Sequence, residues 1–99
     1  MPQYDIYANP TGDGYLLDVQ TDLLGGLNTR IVVPLVPADL APKPMSRLNP
    51  VFDVAAVPHV MATQFLSAVP QNLLMRAVGN ALADAVAIIA ALDMLTHGF

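Results

Sequence analysis

The sequence predicts a mainly β fold closed by one C-terminal α-helix. Three observations carry this. Over residues 1–78 the apolar residues fall in short segments that alternate with period two, separated by Pro and Gly clusters. From Gly79-Asn80 onward the period lengthens to that of a helix. The chain has 99 residues, the size of one domain: β structure over 1–78, then a helix and tail over 79–99.

The elements follow in order. Tyr4–Ala8 alternates, Tyr4 and Ile6 against Asp5 and Tyr7. The cluster Asn9-Pro10-Thr11-Gly12-Asp13-Gly14 is a turn, so Tyr15–Gln20 reads as the return strand of a hairpin. Leu23-Leu24-Gly25-Gly26 closes that unit, with two glycines for a tight reversal. Thr29–Val36 is the strongest strand. Pro34 within it cannot donate to a ladder, which implies an edge or a bulge. Residues 37–50 form a proline-punctuated connection. Val51–Val54 and His59–Val69 are further strands, parted by a turn at Pro58, and Gln71–Arg76 is a candidate last strand.

Asn80 is a good helix N-cap, and Asp84 lies in the first turn, where the helix dipole favours an anion. Ala81, Ala85, Ile88, Leu92 and Leu95 then recur at helical spacing, widened by Leu82, Val86 and Ile89; the helix should end near Thr96, before Gly98. The second face carries Ala83, Ala87, Ala91 and Met94 rather than Lys and Glu. Either the helix is buried on both sides within one chain, or two copies pack along it about a two-fold axis. The second option makes Ala87, Ala91, Met94 and Leu95 the expected dimer interface.

Composition excludes several functions. The chain is 55% hydrophobic and 12% charged, with net charge −4 and only four cations, Arg30, Lys43, Arg47 and Arg76. Nucleic-acid binding needs clustered positive charge, so no direct contact with DNA or RNA is expected; a basic protein partner suits this surface better. With no cysteine and two histidines, neither disulfides nor a structural zinc site is expected, and no cofactor is implied. The start of the chain shows no signal pattern, and the longest apolar run, Ala85–Leu92, is far short of the roughly twenty residues of a membrane helix. A cytoplasmic protein is expected.

No catalytic set assembles by spacing. Gly25-Gly26 lacks the Lys and helix of a phosphate loop, and neither Ser46 nor Ser67 sits in a nucleophile elbow. His59, among Val57, Pro58 and Val60, reads as structural. Asp18 and Asp22 read as turn-holding carboxylates rather than a catalytic pair. Two features point elsewhere. Asp93 lies at the edge of the apolar stripe and in the last helical turn, where the dipole disfavours it; it either serves a function or reaches solvent from the boundary. Thr96-His97-Gly98-Phe99 follows the helix at once. It is either a compact binding element, with Gly98 presenting His97 and Phe99 together, or a tail whose Phe99 folds back on the core.

The order of motifs resembles the CcdB toxins along essentially the whole chain. Leu17-Asp18-Val19-Gln20-Thr21-Asp22-Leu23-Leu24 is similar to the family's Val-Asp-Val-Gln-Ser-Asp followed by two aliphatics. Arg30-Ile31-Val32-Val33-Pro34-Leu35 resembles Arg-Met-Val-Ile-Pro-Leu. Ser46–Val51, Ser67–Pro70 and the closing Ala90–Leu95 with Gly98 and a final large apolar residue match further family stretches. The resemblance implies an SH3-like antiparallel barrel with a small accessory sheet and a C-terminal helix, as a homodimer. It implies a toxin that binds the A subunit of DNA gyrase and traps it on cleaved DNA. A partly disordered antitoxin from the same operon neutralises such toxins and represses the operon with them. The gyrase contacts it implies are Leu23, Leu24, Asp93, His97, Gly98 and Phe99. The sequence departs from the family at its end, where Thr96-His97 replaces Phe-Trp, and at Asp93, where Asn is usual. Two other classes share the fold: a dimeric module that keeps only antitoxin binding, and an mRNA-cleaving toxin, which the low cation count disfavours.

Overall fold

The computed structural model describes residues 2–98. Strands β1 (Asp5–Ala8) and β2 (Tyr15–Asp18) form the expected hairpin, Ile6 opposite Leu17 and Ala8 opposite Tyr15. Its turn depends on Gly14, whose φ is +85° and where a Cβ would collide with the Leu35 carbonyl. Strand β3 (Thr29–Pro37) pairs with β2; β4 (Val51–Val54) and β5 (Val57–Met61) make a second hairpin. Strand β6 (Ser67–Pro70) pairs with the first half of β3, and β7 (Ala77–Asn80) with β1. The order is β4-β5-β3-β2-β1-β7, with β6 as a side branch on β3. Every pairing is antiparallel, and the sheet curls into a half-barrel carrying the C-terminal helix α1 (Ala85–His97).

Pro34 sits mid-strand, opposite Leu16, yet costs no ladder bond. Its carbonyl accepts from the Ala62 N–H at 2.9 Å, so its backbone polar edge faces away from β2. On that side β6 pairing ends at Val32 and β5 pairing begins at Leu35. The absent N–H therefore falls in the seam between two partner strands. The predicted edge is a gap inside the sheet.

Five boundaries differ from the sequence reading. The reversal after β2 is a 3-10 turn, Asp22–Leu24, and Gly25 takes an ordinary helical φ of −62°. The β4–β5 turn is Ala55-Ala56, both with positive φ, while Pro58 lies within β5. A 3-10 turn at Thr63–Phe65 divides His59–Val69, because Thr63 is buried and its hydroxyl donates to the Leu48 carbonyl. Gln71–Leu73 is likewise a 3-10 turn, closed by the Leu74 N–H on the Gln71 carbonyl, and the last strand comes later. That strand, Ala77–Asn80, is exposed throughout; its pairing with β1 defines it, not an apolar pattern. Asn80 caps as expected, accepting from the Leu82 N–H at 2.8 Å, but the first turn is 3-10 and the α-helix begins at Ala85. Gly98, in the left-handed region, ends it with bonds to the Asp93 and Met94 carbonyls. Among the described residues no helix is long and apolar enough to cross a membrane.

Both faces of the sheet are packed. One carries Tyr4, Ile6, Leu17, Val33, Leu35 and Met61 against Ile88 and Ala91 of α1. The other carries Tyr7, Leu16, Val32 and Leu74. Alternation places Asp18 and Arg30 on this second face. Both are essentially inaccessible, and they form an ion pair: Nε and the second terminal nitrogen of Arg30 each lie 2.8 Å from Asp18 Oδ2. The other carboxylate oxygen accepts from the Gln20 N–H at 3.1 Å. Burial pushes the Asp18 carboxyl above its usual pKa, against the pull of the Arg30 hydrogen bond and charge. Burial also raises the neighbouring Tyr7 hydroxyl, followed by the charge of Asp5.

Replacing Arg30 by Met strands a buried carboxylate and should lower the unfolding free energy by about 3–5 kcal/mol, read by urea denaturation at neutral pH. Asp18→Asn removes the titration altogether. The folded carboxyl holds its proton more tightly than the unfolded one, so wild-type stability relative to Asp18→Asn should rise as pH falls through the raised folded value toward the usual 3.8, and decline again on the way up. Urea midpoints across that range check the sign. The Ala55-Ala56 turn asks two L-residues for positive φ; replacing the pair by Asn-Gly, the preferred chemistry for such a hairpin, should raise stability by about 1–2 kcal/mol in thermal melts.

Candidate partner-binding site

Leu23 and Leu24 lie on the 3-10 turn Asp22–Leu24, directly after β2. Thr21 heads the turn, accepting from the Leu23 N–H at 3.3 Å, and Asp22 accepts from the Gln3 N–H at 2.8 Å. The turn is thereby pinned to the start of the chain, and it thrusts Leu23 into solvent at 92% exposure, with Leu24 at 48%. Leu23 and Leu24 are thus both presented to solvent by this turn. Asp22 holds the turn as the sequence suggested. Asp18 also accepts from a turn amide, but its main partner is Arg30.

Asp93, His97 and Gly98 lie together on the last turn of α1 and its cap, all exposed. Thr96 Oγ1 lies 2.8 Å from His97 Nδ1 and donates to the Leu92 carbonyl at 2.9 Å, so the closing turn is internally braced. Phe99 lies outside the described residues. The Leu23–Leu24 turn does not pack substantially against α1 within one chain, so the implied site falls into two patches.

The helix faces are apportioned differently from the sequence reading. Ile88 and Ala91 are fully buried against the sheet, with Leu92 packed beside them. Ala91 thus belongs to the chain's own core and is not available to a second copy; its small side chain lets the helix approach the sheet. Ala87 is exposed, and Met94 and Leu95 are half-buried. Leu82, Val86 and Ile89, expected to widen the core stripe, instead point outward at 66%, 85% and 49% exposure. By helical spacing Leu82, Val86, Asp93 and His97 share one stripe. The sequence puts Asp93 at the edge of the apolar stripe, but such a stripe ordinarily faces a core, and only the structure shows this side facing water.

The remaining polar residues hold the fold. His59 is buried, its Nδ1 2.7 Å from the Val57 carbonyl and its ring edge-on to Tyr15 at 5.2 Å. Asn49 ties the 45–49 connection to β5, donating to the Met61 carbonyl at 3.0 Å and accepting from the Met45 N–H. An apolar cleft of about 250 Å³ lies beside that connection, lined by Pro34, Val36, Met45 and Phe65, with Lys43 at its edge. Among the described residues no group of three or more His, Cys, Asp or Glu side chains is placed to hold a metal. Of the cations Arg30 is buried in its ion pair, which leaves Lys43, Arg47 and Arg76 on the surface.

No curated protein sequence matches the chain. A family model described as CcdB protein matches residues 3–98, nearly the full length. That family comprises non-enzymatic toxins of toxin–antitoxin systems that act on DNA gyrase, with gyrase and an antitoxin as partners. The match spans residues 3–98 of the 99-residue chain, and the chain is a member of the CcdB family.

Proposed function

We propose that this chain is the toxin of a type II toxin–antitoxin module, that it binds the A subunit of DNA gyrase, and that it traps the gyrase–DNA cleavage complex. The observation that carries the reading is Leu23, almost wholly exposed on a turn held from both sides, at the position where family resemblance implies a gyrase contact. Leu24 adds apolar area. Asp93, His97, Gly98 and Phe99 supply the second patch, which a homodimer would bring beside the first. That dimer would use Ala87, Met94 and Leu95. Binding rests on apolar burial and needs no chemistry from the toxin. Stabilising one state of the partner by differential affinity is sufficient to trap it. A disordered antitoxin that covers the same exposed apolar residues would neutralise the toxin by competition.

The surface charge supports a protein partner over RNA. A ribonuclease of the same barrel needs a basic groove, and three exposed cations on an acidic chain do not make one.

Purified protein should inhibit supercoiling by gyrase and accumulate cleaved DNA. A variant lacking Gly98 and Phe99 should lose both effects, while its melting temperature stays within a few degrees of wild type. Supercoiling that continues unchanged in the presence of the intact protein refutes the reading. Cleavage of RNA by the protein would replace it with the ribonuclease alternative.

A further inference from the structure

Between the buried ion pair and the exposed turn stands one residue, Gln20. Its side chain is used at both ends: Nε2 donates to the Leu24 carbonyl at 3.1 Å, and Oε1 accepts from the Ile31 N–H at 3.1 Å. Its backbone is used as well, the N–H donating to Asp18 Oδ1 and the carbonyl accepting from Arg30 at 3.3 Å. Gln20 is itself 7% exposed. It therefore bonds the end of β2, the start of β3 and the far end of the Asp22–Leu24 turn simultaneously. Asp22 secures the near end of the turn through Gln3. Among the described residues only the Gln20 amide runs from the sheet to the Leu24 carbonyl, and that carbonyl also closes the next loop by accepting from Leu27 at 3.1 Å.

We propose that Gln20 is a positioning residue for partner binding, presenting Leu23 and Leu24 in one orientation by tethering their turn to the Asp18–Arg30 pair. The inference rests on the reading of those leucines as gyrase contacts. Its physical basis is preorganisation. Leu23 makes few contacts of its own that would hold it, so a turn cut loose at Leu24 must be ordered anew on binding, and affinity falls without any contact residue having changed. The residue type follows from the task. An amide side chain offers a donor for a carbonyl and an acceptor for an N–H on one planar group.

Two substitutions separate tethering from simple support of the fold. Gln20→Glu keeps the size and the acceptor for Ile31 but loses the donor to Leu24; Gln20→Met keeps the size and loses both. Binding to immobilised gyrase A subunit is measured for these, for Leu23→Ala/Leu24→Ala, and for the combinations, together with amide hydrogen exchange on the full chain. Each Gln20 variant should weaken binding about tenfold or more. Exchange should quicken at Leu24 and Gly25 while Leu17 and Val33 stay protected. In the Leu23→Ala/Leu24→Ala background the Gln20 change should add little, because its effect passes through those side chains. If the two leucine substitutions themselves leave affinity intact, the contact reading fails. If they weaken binding but both Gln20 variants bind like wild type, or the losses add in full, the positioning role fails; so does it if exchange in the turn is unchanged.

Discussion

The Asp18–Arg30 ion pair is the constraint around which this small sheet is arranged. Two opposite charges have been taken almost wholly out of water, a costly step that is tolerable only when the geometry is close and the remaining polar atoms are satisfied. Both conditions hold. Arg30 reaches one carboxylate oxygen with two nitrogens and the Gln20 carbonyl besides; the other oxygen takes the Gln20 amide. No buried side-chain polar atom among the described residues lacks a partner. This network joins the hairpin strand β2 to β3 directly, through Asp18 and Arg30. It sets β2 against β3, fixes the direction in which the chain leaves β2, and supplies the floor of the second packed face, where Tyr7, Leu16 and Val32 would otherwise pack around an unneutralised charge.

From that anchor the path to function is short. The turn after β2 buries none of its own residues, so hydrogen bonds and not packing tie it to the rest of the chain. The helix contributes in the opposite way. Its inner face is spent on Ile88 and Ala91, and its outer face is left apolar and wet at Leu82 and Val86, continuous with Asp93 and His97. The two surfaces share a design: apolar side chains projected outward from a short element of helical backbone.

Much of this was legible from residue order. The β1–β2 hairpin follows from alternation on either side of a Pro-Gly turn, β3 from an unbroken apolar run, and the helix from its change of period and its Asn80 and Gly98 caps. Other features were not, for identifiable reasons. The Thr63–Phe65 turn is set by a buried hydroxyl reaching Leu48, fifteen positions back in the sequence. The last strand has no pattern because its neighbour β1 supplies the pairing. The partnership of Asp18 with Arg30 required knowing that both faces of the sheet are covered; a lone Arg in the most apolar strand, beside an Asp in its hairpin neighbour, was the available signal. For the candidate site, sequence resemblance named Leu23 and His97, and the structure then showed both exposed. The division of the helix is not in the periodicity, because an apolar stripe ordinarily reads as the core face, and only the packing shows Ile88 and Ala91 meeting the sheet while Val86 stays exposed.

Pro34 has a consequence beyond its own position. A strand paired on both edges can in principle slide along its neighbours, and a slip by two residues would keep every side chain of β3 on its present face. Nothing in the apolar pattern Thr29–Pro37 forbids that. The proline does, because its ring fits only where neither β5 nor β6 asks for a donor, and any shift would drive it against a carbonyl of one or the other. The gap between the two strands is therefore a keyway and Pro34 the key. It indexes the sheet to a single alignment, the one in which Arg30 meets Asp18.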